Sequence, residues 1–209
     1  PASRIRDLYD RYYRPERATL VMVGDIDPAA IEAKIKARFG DWKGRGPAGA
    51  DPDIGKPDYA RPEAAGDFVD PAVQDTVSIA AMKPWVIEPD MKAKRARTLA
   101  EDIGEAIVGR RLSKIALDEN SPILGGYFGD SEGWKVFEQI GIGAVAKEGA
   151  WQEALALVEQ EMRRAEQFGF TQAEVDEQLA NRRTALKTAV AGVTTRRSDG
   201  LADALVEAA

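Results

Sequence analysis

The sequence contains no histidine and no cysteine in 209 residues. Without thiols there are no disulfides and no thiolate metal sites, and the chain suits the cytosol and the periplasm equally. Without imidazole or thiol, neither a Ser-His-Asp nor a Cys-His nucleophilic arrangement can be built. The nitrogen and sulfur ligands of zinc sites are missing as well. Long apolar runs are also lacking: the stretch Ala18 to Gly24 falls far short of the ~20 residues of a membrane span, so no span is expected. No charged segment followed by an apolar one opens the chain, and no signal peptide is expected within it. An excess of basic charge is absent too. Lys and Arg number 29 against 35 Asp and Glu, a net charge of −6, which argues against a nucleic-acid partner. The basic pairs Arg163-Arg164, Arg182-Arg183 and Arg196-Arg197 lie in or beside expected helices with acids nearby and read as solvated faces. Neither a G-x-G-x-x-G nor a G-x-x-x-x-G-K-[ST] phosphate loop occurs.

What is present suffices for a globular core, since 44% of the residues are apolar. The length allows one domain with an N-terminal extension or two small lobes. Ser3 can cap a short helix reaching about Tyr13, ended by Pro15. Ala18 to Val23 reads as a strand covered on both faces and turned by Gly24-Asp25. Asp27 then caps a helix whose first position is Pro28, with Ile31, Ile35 and Phe39 on its buried stripe and Gly40 stopping it. From Lys43 to Pro62 the chain is rich in Gly and Pro and poor in apolar residues, the mark of an extended connector, either a tether between lobes or a mobile surface loop.

Further on, Gly66 to Val69 and Asp75 to Met82 read as strands. A long helix is expected from about Met91 to Leu117, with Leu99, Ile103, Ala106 and Ile107 on one face, and a break or bend near Gly109 where the stripe shifts to Val108, Leu112 and Ile115. Leu124 to Phe128 and Val136 to Ala146 form an expected antiparallel pair joined by a turn at Gly129 to Gly133. The second strand places Val136, Ile140, Ile142 and Ala144 on one face. The glycines at Gly125, Gly126, Gly141 and Gly143 mark bulges or close packing. Trp151, Leu155, Val158, Met162 and Ala165 describe an amphipathic helix ending near Phe168-Gly169. Thr171 to Glu174 is a capping box opening a helix with Val175, Leu179 and Leu186 inside. The pattern Leu201 to Val206 runs off the end uncapped, as in a piece of a longer chain. Strand blocks separated by a helix and followed by helices indicate an α+β fold, a mainly antiparallel sheet covered by helices on one face.

Carboxylates alone offer two acidic pairs, Asp25/Asp27 and Asp51/Asp53, but neither has a calcium-loop pattern. Asp27 is accounted for as a helix cap and the connector acids as solvated groups. No metal site is therefore expected in this chain.

The stretch Leu8 to Trp42, LYDRYYRPERATLVMVGDIDPAAIEAKIKARFGDW, resembles the insulinase/pitrilysin family of zinc metallopeptidases. In that family an aromatic helix end precedes a strand, a Val-Gly-Asp turn and a helix closing on Phe-Gly-Asp-Trp. Gly109 to Ile115, with Ser121-Pro122 after it, resembles another segment of the same family and contains Arg111. The family's inverted zinc motif, His-x-x-Glu-His, cannot occur here. The resemblance implies residues 1–42 as the closing helix-strand-helix of a first lobe, 43–62 as the connector, and 63–209 as a second, non-catalytic α+β lobe truncated at its C-terminus. The family also uses an Arg and a Tyr seven positions later to bind substrate and stabilise an oxyanion. Gly126-Tyr127 resembles that segment, yet Asn120 stands where the arginine would be. Tyr127 and Arg111 are thus expected to contact substrate in a closed chamber without taking part in chemistry. Catalytic and metal residues are expected to be absent from this chain. Zinc belongs to the parent protein, and the implied partners are a peptide substrate and the remaining lobes or a partner subunit. Bacterial relatives often work in the periplasm, and the composition permits that compartment without fixing it. The alternative implied function is a non-catalytic structural or partner subunit of the same fold, as in the family's core subunits of respiratory complexes.

Overall fold

The computed structural model describes residues 1–207. The chain forms two compact units, one built from Gly55–Lys187 and the other from Pro1–Ile54 with the segment from Thr188 onward. The larger unit holds strands β1 (Thr76–Pro84), β2 (Ile123–Gly133) and β3 (Phe137–Ala146), with helices α3 (Lys92–Ala116), α4 (Trp151–Phe168) and most of α5 (Gln172–Ala191). The smaller holds α1 (Ala2–Tyr12), α2 (Pro28–Phe39) and α6 (Ser198–Glu207). No helix among the described residues is long and apolar enough to cross a membrane.

The sheet is antiparallel throughout, in the order β1-β3-β2. Val77, Ile142 and Ala144 project to one face, where they pack with Val108 and Leu112 of α3 and Ala154 and Val158 of α4. Ile123 and Ala146 complete this core, and Leu112, Ile123, Ala154 and Val158 are sealed from solvent. The α+β architecture expected from the sequence, helices on one face of an antiparallel sheet, is therefore the observed one. Within α3 the second expected stripe, Val108 and Leu112, is buried together with Ile107, whereas Leu99 and Ala106 are exposed. The helix runs uninterrupted past Gly109, where a break was expected.

Three expected strand features differ. Ala18–Val23 and Gly66–Val69 form no ladder, and Leu20, Met22, Phe68 and Val69 are exposed. An apolar run becomes a strand only beside a neighbour that takes its backbone hydrogen bonds, and no described strand lies beside either run. The β2–β3 turn lies later than Gly129–Gly133. β2 continues to Gly133, which pairs with Phe137 at the start of β3, and the three-residue loop Trp134–Val136 between them is closed by the Val136 amide donating to the Gly133 carbonyl (2.9 Å). Trp134 and Lys135 have positive φ, 49° and 57°, the left-handed region that bulky side chains rarely adopt. The extra residue of β2, between Ile123 and Gly125, is a bulge.

Caps explain several helix ends. The Ala29 amide donates to the Asp27 carboxylate (2.9 Å) at the start of α2. Thr171 and Glu174 bond each other's backbone amides at the start of α5, as the capping box predicts. α1 begins at Ala2 without a side-chain cap, so Ser3 lies inside the helix. Leu186, expected inside, is exposed.

In the smaller unit, Arg14 is buried at the end of α1. Its guanidinium pairs with Glu16 and donates to the carbonyls of Asp10, Arg45 and Gly46. It occupies the space where a Cβ at Gly44 would lie, 2.1 Å from Cζ, so a side chain there would displace the guanidinium. Arg17 binds Asp51 and the Gly49 carbonyl, and the Tyr12 hydroxyl donates to the Ala50 carbonyl. Residues 44–51 are thus laced to the α1 end.

Candidate functional site

Residues of β2 and β3 alternate between the helix-covered face of the sheet and the opposite one. On the opposite face Tyr127 stands directly across from Gly143, and Phe137 across from Gly133. Each ring lies over its cross-strand glycine. A Cβ at Gly143 would come within 2.7 Å of the Tyr127 hydroxyl oxygen and equally close to the Val77 carbonyl, and one at Gly133 within 2.2 Å of the Phe137 ring. An aromatic side chain laid over a glycine restores the cross-strand contact that the glycine lacks. Tyr127 is nonetheless 58% exposed. Around it this face is floored by Ser78, Ala80, Gly129 and Gly141, too short to cover the backbone.

Between α3 and β2 runs a groove of about 470 Å³, lined by Asp102, Glu105, Ala106, Gly109 and Ser113 of α3, Gly126 to Phe128 of β2, and Arg182 of α5. Gly126 lets β2 approach α3, since a Cβ there would lie 3.1 Å from the Leu112 side chain. Glu105 is the electrostatically unusual group. Its partial burial, and then the charge and hydrogen bond of Asp130, push its carboxyl from 4.5 up to about 7. Arg182 reaches Asp102 on the groove rim at 3.5 Å.

Arg111 points the other way. It is 8% exposed and forms a two-pronged bond to Glu174, Nε to Oε1 at 2.6 Å and Nη2 to Oε2 at 2.9 Å. Nη2 also donates to the Gly169 carbonyl (3.2 Å), and the guanidinium lies over the Phe170 ring at 5.3 Å. Gly104, earlier on the same helix, leaves room for that ring, since a Cβ there would meet it at 3.2 Å. The hydrogen bonds from Arg111 and Thr171 pull the Glu174 carboxyl down to about 2. Arg111 thus ties α3 to the α4–α5 link.

Of the residues singled out in the sequence, Tyr127 lies on the uncovered sheet face, while Arg111 is turned inward on α3. The fold does not bring them together. Asn120 is an exposed turn residue whose amide donates to the Asp118 carboxylate (2.8 Å), before β2 begins. The Glu105–Asp130 contact and the Glu174 partner of Arg111 were not visible in the sequence. The Thr171-x-x-Glu174 box marked the glutamate as a cap only, and nothing local links positions so far apart.

Zinc does not fit this chain. It offers no imidazole and no thiolate, and among the described residues no three acidic side chains gather into a metal-binding group.

Comparison with known proteins agrees with the fold. Residues 2–182 match the family described as the peptidase M16 inactive domain. Protein YhjJ of Escherichia coli (strain K12) is 33% identical over 84 residues, 40% of this chain and 16% of that protein. Among solved structures, a predicted insulinase family protease from Yersinia pestis superposes with a TM-score of 0.73 at 21% identity, over 98% of this chain and 43% of that one. The periplasmic protease PqqL from Escherichia coli superposes with a TM-score of 0.67 at 20% identity, over 99% of this chain and 23% of that one. The chain therefore spans less than half the length of each of these proteins.

Proposed function

The chain belongs to the peptidase M16 family as an inactive, non-catalytic domain, and from that premise we propose that it serves a longer zinc endopeptidase as part of the wall of a closed chamber. Its task there is to hold extended or unfolded peptide near a zinc site supplied by another part of the protein. The observation that carries this reading is the one-sided sheet: helices cover one face, and the other is a smooth floor of Ser78, Ala80, Gly129 and Gly141 with Tyr127 exposed beside it. A flat face with one aromatic suits a polypeptide of varied sequence, because a ring gives contact area at low entropic cost without demanding a particular partner. Arg111 acts here as a tie within the lobe, since its Nε and Nη2 donate to Glu174 and Gly169.

Under this reading the isolated 209-residue polypeptide binds no zinc and cleaves nothing. Elemental analysis of dialysed, tag-free protein and an assay with a flexible fluorogenic peptide test it together. Stoichiometric zinc with peptide turnover would overturn it. The second reading, a scaffold subunit of the same fold, is favoured by one fact: the ring of Tyr127 is already accounted for by Gly143. It requires that extended peptides leave the nuclear magnetic resonance (NMR) signals of Tyr127 and Gly143 unmoved.

A further inference from the structure

The register of the sheet sorts its side chains by charge. Lys83, Asp130, Glu132 and Glu138 are the charged residues of the three strands, and all of them alternate onto the face of Val77, Ile142 and Ala144 that the helices cover. Lys83 and Glu138 pair with one another at 2.6 Å, and Glu132 accepts from the Trp85 indole at 2.8 Å. On the opposite face, the alternate positions from 76 to 84 of β1, 125 to 133 of β2 and 137 to 145 of β3 hold no Asp, Glu, Lys or Arg. Glycine is the commonest residue among them. This face is open to solvent, with Ser78, Ala80, Met82 and Tyr127 all exposed. In a chain that is 31% charged, a wetted sheet face without a single charge departs from the usual alternation of apolar-in and polar-out. It is built for contact.

The size of the face selects its occupant. Strand rise and spacing make it about 30 Å long and roughly 10 Å wide, an area of roughly 300 Å². A stable contact between two folded partners buries about 800 Å² on each, which this strip cannot supply. One extended chain of about eight residues matches it. Where Gly129 pairs with Gly141 beside Ala80, nothing larger than a methyl group rises above the strand backbones, so the main chain of a ligand can lie directly on them. Resting on the function proposed above, we propose that this face binds an uncharged stretch of extended polypeptide and keeps charged side chains out of contact.

The selection works by desolvation. A Lys or Glu side chain pressed onto the strip gives up water and meets no counter-charge, because the strands hold their own charges on the far side of the sheet. Ser, Ala, Val and Gln lose far less. Sequence is therefore free to vary in the bound segment, and charge is not. Desolvation disfavours both signs alike, whereas the chain's net charge of −6 attracts a Lys-bearing peptide from a distance and repels a Glu-bearing one. Comparing the two signs separates the effects.

The test is an NMR titration of the 209-residue chain with acetylated, amidated octapeptides, following the amides of Ala80, Gly129, Gly141 and Gly143. One peptide contains only Ser, Ala, Val and Gln. In two others a pair of adjacent central residues is Lys or Glu, so that one of them meets the sheet whichever side the peptide presents. The uncharged peptide is expected to shift these amides, and each charged peptide to need at least roughly tenfold higher concentration for the same shift. Ala80→Lys, at an exposed position, should bring the Glu peptide to within a few fold of the uncharged one and weaken the Lys peptide further. If the uncharged peptide moves none of the four amides, the peptide-binding reading falls and the proposal with it. If it moves them and either charged peptide acts within about threefold of the same concentration, peptide binding stands and charge exclusion is overturned. Dilution of the free chain that moves the same amides would give the face to a second copy and also overturn the proposal. The wild-type comparison decides the matter even if Ala80→Lys fails to fold.

Discussion

Replacing Glu174 by glutamine should destabilise the larger unit by about 2 kcal/mol, an amount that depends on acid in a defined direction. Glutamine keeps the capping box, since an amide oxygen can accept from the Thr171 amide. What is lost is the charge facing Arg111, which is 8% exposed and would be left as a buried cation with a weaker acceptor. Removing one partner of a fully buried pair costs about 3–5 kcal/mol. The depression of Glu174 from 4.5 to about 2 converts independently to about 3 kcal/mol. Solvent still reaches 23% of the Glu174 side chain, and screening reduces either figure to about 2 kcal/mol. Because the folded carboxyl is depressed, its contribution is present above about 4.5 and is lost as pH falls toward about 2. Urea unfolding of wild type and Glu174→Gln, followed by tryptophan fluorescence from neutral pH downward, should show two curves that converge in acid. Arg111→Met combined with Glu174→Gln should recover part of the loss, because no unpaired guanidinium then remains, while the buried Glu161 keeps Arg164 as its partner. A neutral-pH difference below about 0.5 kcal/mol, or one that persists unchanged at about pH 2, would show that the Arg111–Glu174 pair does not stabilise the fold.

Exchanging the turn residues, Trp134→Asn with Lys135→Gly, should raise the urea midpoint by the equivalent of about 1–2 kcal/mol, since two bulky residues leave the left-handed region; a lowered midpoint would mean that the indole packs on something. Gly143→Ala should cost about 2 kcal/mol, because the new methyl meets both the Tyr127 ring and the Val77 carbonyl; an unchanged melting temperature would show that the ring is not seated there. Arg14→Ala should free residues 44–51 and speed tryptic cleavage at Lys43 and Arg45 roughly tenfold, read by timed gels. Cleavage that begins within α3 instead would contradict the assignment of the laced segment.

Much of the larger unit was legible because its signals are local. The alternation in β1 and β3, the buried stripe of α4 and the Thr171-to-Glu174 box each specify an element within a few residues. The glycines of β2 and β3 announced bulges and close packing, and the structure supplies both, at Leu124 and under Tyr127. What stayed hidden depends on distant neighbours. Ala18–Val23 has strand composition, but composition cannot supply a partner strand. The hairpin turn was misplaced because Trp134-Lys135 carries none of the Asn-Gly chemistry that normally marks such a turn, whereas Gly129 to Gly133 has turn composition and yet lies in a ladder. Arg111 stood out in the sequence for its segment, but its inward orientation follows from Glu174, 63 positions away. Glu105 and Asp130 likewise come together only because the chain reverses between α3 and β2.

The proposed function puts peptide contact at Tyr127 and the chemistry on another part of the longer protein. The most direct measurement places a photo-crosslinking phenylalanine at position 127 of the full-length polypeptide and compares it with Tyr127→Phe. A covalent adduct with an unfolded peptide at position 127 is expected, with a turnover number for Tyr127→Phe within a few fold of wild type. No adduct would remove the contact. A fall of about 10² or more in turnover at unchanged KM, as on losing an oxyanion donor, would make the tyrosine catalytic and contradict the claim.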